Sequence, residues 1–449
     1  MNNNEHPRVL IISDATWADE NNIGNTFSNL FEDWPKDKIA MVYARPDMPN
    51  TVVCDNFFQI SENRLIKRFL NSSIKTGKRI SKLELNNSET KQTFRNEESS
   101  GKKIYSFFLK HRWNIFLIAR EVLWKIGNWK TKELDEFIEE FSPEIVLSLA
   151  CSGIYMNRLQ QYVMIRSKAK PIVYFVDDVY SLKQFSLSPL FWLNKLMVRR
   201  SINKTIKLSS LIYTIVPKQK NEYDNSFKRN TKLLTKGGSF ETKPNKEIEM
   251  AKPFKLVYTG NIYAGRWDTL ESIGRALDEI NQTELKGVLY VYTKNELTTG
   301  MKKSLSEIKS IRFMGGIPAS QVRSVQSESD ILLHVESLRL KEKLMTRLSF
   351  STKLVDYFAQ RKCILAVGWS EAASIDYLRK NDIAVVVDDL NKINITLKEL
   401  LDQPELIQRY GLKSWTFGTE NHDIHTIKEL LRQDMVDLMR PNDCNRLEL

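Results

Sequence analysis

The sequence predicts an α/β protein made of two doubly wound domains. Three observations carry this. Continuous apolar runs, such as Leu10-Ile11-Ile12 and Cys363-Ile364-Leu365-Ala366-Val367, read as strands buried on both faces of a parallel sheet. Helical segments alternate with them, the order of crossover units. A charged stretch, Glu241 to Lys252, separates the two halves, and 449 residues suffice for two domains with real cores.

In the first half, Arg8 to Ser13 is a strand. A loop through Asn22-Ile23-Gly24-Asn25-Thr26 leads to an amphipathic helix carrying Phe27, Leu30 and Phe31. Further strands are expected at Glu144–Leu149, Pro171–Val176 and Leu211–Val216. Asp177 and Asp178 close the second of these at its carboxyl end, where open α/β sheets bind ligands. Both are candidate general bases, and Asp178 is the catalytic candidate of the two. Asn86 to Gly101 has the biased composition of a loosely held loop.

In the second half, Lys255–Thr259 is a strand and Gly260–Arg266 a loop. Asp268 with Glu271 gives a capping-box start for a helix running to about Asn281. Strand, glycine loop and helix form a phosphate cradle. Gly260 permits close backbone approach, and Arg266 offers a bidentate fork for a diphosphate. Strands follow at Gly287–Tyr292, Ile311–Gly316, Asp330–Val335, Cys363–Val367 and Ile383–Val387, with helices from Pro318 and over Ala372–Lys380. Between Phe350 and Val367 a short helix precedes a buried strand. Ser351 and Thr352 are its candidate caps. Lys353 lies in its first turn and Asp356 at i+3 on the same face. A helix N-terminus bearing a lysine favours an anion, and a carboxylate one turn on can accept from a ribose diol. The set suits a nucleoside diphosphate.

This segment resembles the nucleotide-sugar motif of GT-B glycosyltransferases, in particular the large retaining family used in bacterial surface-polysaccharide biosynthesis. Ser351 or Thr352, Lys353, Leu354, Asp356, Tyr357, Ala359, Lys362, Ile364, Leu365 and Ala366 match it. Arg361 stands where that family usually has Gly, and Cys363 where it has Pro. Leu348 stands where many members carry a Glu that holds the donor sugar; Glu336 is the nearest substitute. Gly260-Asn261-Ile262 with Arg266, and Phe313-Met314-Gly315-Gly316, also look like the family pattern. The resemblance implies two Rossmann-like domains facing a cleft. Residues 1–240 would form the acceptor side, closed by the strand and glycine turn Leu233–Gly238. Residues 252–410 would form the donor side, and 411–449 would return to brace the first domain. It further implies that Gly24 faces the donor phosphates, that no metal or cofactor is required beyond the nucleotide-sugar substrate, and that anomeric configuration is retained.

Charge is uneven. Ser61–Lys130 holds 16 Lys and Arg against 6 Asp and Glu, and Lys183–Lys236 holds 12 against 2, in a chain of net charge +12. Aromatics interleave with the cations: Lys103, Tyr105, Phe107, Phe108, Lys110, Arg112, Trp113, Phe116, Arg120, Trp124, Lys125, Trp129 and Lys130, then Phe191, Trp192, Lys195, Arg199, Arg200 and Lys204. Basic helices with Trp and Phe suit an anionic membrane surface. They would also suit nucleic acid, but that does not explain Arg266 and Lys353. The cysteines (Cys54, Cys151, Cys363, Cys444) and the five histidines show no ligand spacing. The N-terminus lacks a signal-type apolar stretch, and no apolar run reaches membrane-span length. The expectation is a cytoplasmic, membrane-peripheral glycosyltransferase. It would move a sugar from a nucleoside-diphosphate sugar to a lipid-linked or saccharide acceptor. A GT-B nucleotide-sugar epimerase would share the diphosphate site, but its chemistry gives no reason for the aromatic-basic blocks.

Overall fold

The structure, a computed structural model, describes residues 6–81, 114–240 and 252–440. The loop expected at Asn86–Gly101, the cations and aromatics from Lys103 to Trp113, the Phe116 side chain, most of the linker and Cys444 lie outside these residues.

Two sheets organise the chain. The first has eight strands: β1 (Val9–Ser13), β2 (Ile39–Tyr43), β3 (Asn56–Ile60), β4 (Gly77–Ser81), β5 (Ile145–Leu149), β6 (Lys170–Phe175), β7 (Leu211–Thr214) and β8 (Lys232–Leu233). Their spatial order is β4-β3-β2-β1-β5-β6-β7-β8, parallel except for β4. The second has six: β9 (Phe254–Thr259), β10 (Gly287–Tyr292), β11 (Ile311–Gly315), β12 (Ile331–Val335), β13 (Cys363–Val367) and β14 (Val385–Val387). Their order is β11-β10-β9-β12-β13-β14, all parallel. The apolar runs behave as their composition demands. β1, β2, β5, β12 and β13 are buried at every residue, because helices cover both faces. In each sheet the winding direction reverses once, between β1 and β5 and between β9 and β12. At those switch points the loops diverge and leave a crevice at the carboxyl edge.

The helix Ile424–Met439 crosses back and packs on Asn22–Phe31, the helix that follows β1. Tyr213 donates to Asp434 (2.7 Å), and Lys428 pairs with Glu32 and Asp33 (2.9 Å each). The crossing comes later than the expected residue 411. The helix Pro404–Asn421 still lies against β13 and the helix Lys353–Ala359, in the second domain. A second bridge joins the domains near the cleft. Arg347 forks onto Glu222, with its Nη2 2.7 Å from Oε2. Leu348 is fully buried among the core residues of the first domain, and Ser349 donates to Asp177 (2.8 Å). The position expected to hold a sugar-binding Glu is therefore an apolar anchor between domains.

Several local expectations shift. The helix Arg266–Ile280 begins without the Asp268 capping box; its N-cap is Gly265, at φ +75°, and Asp268 pairs with Arg339. Ser351 and Thr352 make no side-chain cap. Arg361 sits at φ +53°, so the departure from the family's usual Gly falls where the backbone is left-handed. Trp124 and Trp129 are core residues beneath the first sheet's helical layer, not a membrane-facing pair. Their indoles are satisfied internally, by Glu62 (3.0 Å) and the Trp124 carbonyl (2.7 Å).

Candidate active site

The carboxyl edge between β9 and β12 brings four of the expected residues together: Gly260, Arg266, Glu336 and Lys353. β9 ends at Thr259, and Gly260 then takes φ +149°, a conformation that favours glycine. The turn exposes the Thr259 carbonyl, which accepts from Lys353 Nζ at 2.7 Å. The ammonium also lies 5.0 Å from the centre of the Tyr258 ring. A Cβ on residue 260 would stand 2.1 Å from Lys353 Nζ, so the glycine makes the lysine's seat. The opposite face of the Lys353 helix is anchored by buried Leu354, Val355, Tyr357 and Phe358.

Arg266 opens the next helix and reaches across to the end of β12. Its Nη2 meets both oxygens of Glu336, at 3.2 and 3.0 Å. Glu336 is itself fixed, its amide donating to Val367 (2.9 Å) and its carbonyl accepting from Thr269 (3.0 Å). His334, on the same strand, shares 2.9 Å with Ser374. Burial, with the charges of Lys353 and Arg266, lowers its pKa to about 3, so it is neutral. Burial also lowers Lys353, to about 8, and the nearby Arg266 charge pushes the same way. The group thus holds two cations against one carboxylate, partly removed from water. That arrangement is unfavourable alone and is relieved by an anion.

Asp356 stands one turn along, and its partner is not Lys353. Lys236, from the glycine turn that closes the first domain, donates to its Oδ1 at 2.6 Å. The carboxylate stays 40 % exposed while Lys236 is 10 % exposed. An acceptor therefore faces the cleft, held by a cation from the other domain. No periodicity could have found Lys236, because the pair is 120 residues apart in sequence. Beside the loop after Gly260, whose Ile262 amide donates to Asn295 (2.9 Å), an open cavity of about 580 Å³ follows the ends of β10 and β11, lined by Thr293, Asn295, Phe313, Gly315 and Gly316 among others.

Two expected residues lie elsewhere, in the first domain. Gly24 lies in the first turn of the helix after β1. Its amide donates to the capping side chain of Asn21 (2.6 Å), and an added Cβ would meet the Ala18 carbonyl at 2.0 Å. Close packing accounts for that glycine. Asp178 is sealed from solvent. It accepts from the Ser181 amide (2.8 Å), the Ser181 hydroxyl and Tyr223 (3.1 Å), with Arg347 at 3.7 Å. A carboxylate so engaged is an anchor for loop and domain bridge. Asp177, beside it, is exposed, and burial of its surroundings raises its pKa. Ser351 and Thr352 are half-buried at the start of the Lys353 helix and contribute backbone carbonyls to its first turn.

No protein-family model matches this sequence, and no curated protein does. Solved structures do match in shape. HepE of Anabaena, in complex with UDP and glucose, aligns with a TM-score of 0.59, over 96 % of this chain and 100 % of that one. The chain has the GT-B fold. At 9 % identity the HepE likeness is one of fold. Sucrose-phosphate synthase from Thermosynechococcus elongatus aligns at 0.58 and 11 % identity, over 96 % and 98 % of the two chains. WaaG, a glycosyltransferase involved in lipopolysaccharide biosynthesis, aligns at 0.54 and 9 % identity, over 95 % and 99 %. In this GT-B chain the second sheet's switch point coincides with the Arg266, Glu336 and Lys353 group.

Proposed function

We propose that the protein is a glycosyltransferase. It takes a nucleoside-diphosphate sugar as donor and a lipid-linked or saccharide acceptor of cell-surface polysaccharide assembly. The single observation that carries this is the pair of cations, Arg266 and Lys353, at the carboxyl edge of the second sheet. The HepE complex with UDP, and the involvement of WaaG in lipopolysaccharide biosynthesis, support the donor and pathway classes.

In this reading Lys353 and Arg266 flank the diphosphate. As the sugar–phosphate bond breaks, negative charge grows on the leaving diphosphate, and the two cations stabilise it more than they stabilise the ground state. Glu336 holds Arg266 in place. Gly260 lets the backbone and Lys353 approach the phosphates together. Asp356 accepts from the ribose diol while Lys236 fixes its orientation, which ties nucleotide binding to the relative position of the two domains. The base extends toward the cavity lined by Thr293 and Phe313.

The ribose contact gives the test. Asp356→Asn keeps the shape of the side chain and removes its charge. It should weaken a ribonucleoside diphosphate by about tenfold, the range of a charged hydrogen bond. It should weaken the matching 2′-deoxyribonucleoside diphosphate much less. Calorimetric titration of both ligands checks this. Equal losses would make Asp356 a domain-bridging partner of Lys236 and remove it from the donor site.

A further inference from the structure

We propose that segment 182–207 of the first domain is the surface by which this protein docks on an anionic lipid bilayer. Leu187, Leu193 and Met197 would enter the acyl boundary, and Arg200 and Lys204 would meet the headgroups. Of the aromatic residues singled out in the sequence, Trp124 and Trp129 are core, and Phe191 and Trp192, in the first turn of this segment's helix, are half-buried. Ile118, Val122 and Ile126 of the first basic block are exposed, but the most exposed apolar side chain lies in this segment. Leu187 is 88 % exposed, the largest value among the large apolar side chains described. Leu190, Leu193, Leu196 and Met197 are each at least half exposed.

The arrangement is built rather than incidental. Ser188 caps the helix Pro189–Leu208, and Pro189 opens it. Trp192 donates back to the Ser186 carbonyl (2.9 Å), which ties the loop carrying Leu187 to the first turn. Val198, Ile202 and Ile206 bury the inner face against the first domain. On the outer face, Leu193, Leu196, Met197, Arg200, Lys204 and Lys207 recur at spacings of three or four, one stripe of a helix. The stripe changes character along its length: its first half is apolar and its second half cationic.

Charge selects the occupant. Between Ser181 and Leu208 there are six cations and no Asp or Glu. Lys195 is turned inward onto the Val179 carbonyl (3.1 Å), and Arg199 lies over the Tyr180 ring. Arg200, Lys204 and Lys207 are exposed, and Lys183, also exposed, pairs with Glu222 at 3.8 Å. An apolar tip beside the exposed Arg200, Lys204 and Lys207 complements an anionic bilayer better than a copy of the same positive surface. So many cations are too costly inside a hydrocarbon core, so the helix lies on the bilayer and does not span it. The segment also leads directly from the cleft: β6 ends at Phe175, Asp177 bonds Ser349 across the domains, and the loop to Leu187 follows. A lipid-anchored acceptor held at this surface would enter beside the donor site. That link rests on the transferase reading, whereas the docking surface does not.

The test uses the intact chain with vesicles of phosphatidylcholine, alone or mixed with phosphatidylglycerol. Wild type should bind the mixed vesicles and be weakened by salt. Leu187→Asp with Leu193→Asp should weaken binding at least about tenfold, including the part that salt does not release. Arg200→Gln with Lys204→Gln should weaken binding only to the anionic mixture and flatten the salt dependence. Both variants change exposed positions, so nucleoside-diphosphate affinity should match wild type and serves as the check of fold. Wild type that ignores mixed vesicles overturns the proposal. So does a dimer that the leucine variant dissolves without change in vesicle binding, and so does RNA or DNA bound in place of vesicles. Wild type that binds mixed vesicles and no nucleoside diphosphate would remove the transferase reading and leave the docking surface standing.

Discussion

Lys353→Ala and Arg266→Ala should each weaken nucleoside-diphosphate binding by roughly ten- to a hundredfold, and lower turnover at least as much. A lost charged hydrogen bond is worth about 1.5–3 kcal/mol, and each variant removes one from the proposed diphosphate site. The two should differ in stability. Arg266→Ala strips Glu336, only 6 % exposed, of its two bonds to the guanidinium. It leaves a buried carboxylate unpaired, which is strongly destabilising. Lys353→Ala removes the excess cation and costs less, because the carbonyl it leaves is a neutral acceptor. Thermal midpoint and diphosphate affinity measured on both variants separate the effects. Affinity should fall in both, while the midpoint falls mainly in Arg266→Ala. Unchanged affinity in both folded variants would place the diphosphate elsewhere.

Gly260→Ala should cost nearly as much affinity as removing Lys353 itself. The new methyl would stand 2.1 Å from Lys353 Nζ, on a backbone at φ +149°. The flexible lysine can move aside, but only by leaving the Thr259 carbonyl and the Tyr258 ring, and so the place where it meets the ligand. Because the two changes act through one group, the double variant Gly260→Ala/Lys353→Ala should be little worse than Lys353→Ala alone. Gly300→Ala is the control, since a Cβ there meets nothing within 4 Å. Additive losses in the double variant would show that Gly260 serves the backbone and not the lysine.

The fold was legible in those segments whose sequence needs no distant partner to be read. β13 is the clearest: five continuous apolar residues between a short helix and a turn can hardly be other than a buried parallel strand. The switch-point residues Gly260, Arg266 and Lys353 were legible because each lies next to an element end with its own local signature. β2, β3 and β4 and the helices around Leu65, Phe137 and Leu159 were not assigned from sequence, although β2 is an apolar run like β1. The cross-domain contacts were not legible either. Lys236 finds Asp356, and Arg347 finds Glu222 and Asp178, only after two independent domains meet. The reading of Trp124 and Trp129 as membrane-facing failed for a related reason. Interleaved cations and aromatics record that a helix is amphipathic, not which face the protein covers. Leu187, Leu190, Leu193 and Leu196 are exposed, although their pattern alone looks like ordinary core.

The most direct test of the account is the affinity of the wild-type chain for nucleoside diphosphates as pH rises from 7 to 9.5. Burial and the neighbouring Arg266 hold Lys353 to about 8, so in the free protein it loses its proton within this range. A bound diphosphate favours the ammonium, so binding must draw a proton above that pH. At least one ribonucleoside diphosphate should bind at pH 7, its affinity falling progressively above pH 8 toward tenfold per pH unit. In Lys353→Met the affinity should start lower and lack that fall. Failure of every ribonucleoside diphosphate to bind at pH 7, or a profile that is the same with and without Lys353, would contradict the assignment of this switch point as a nucleotide-sugar site.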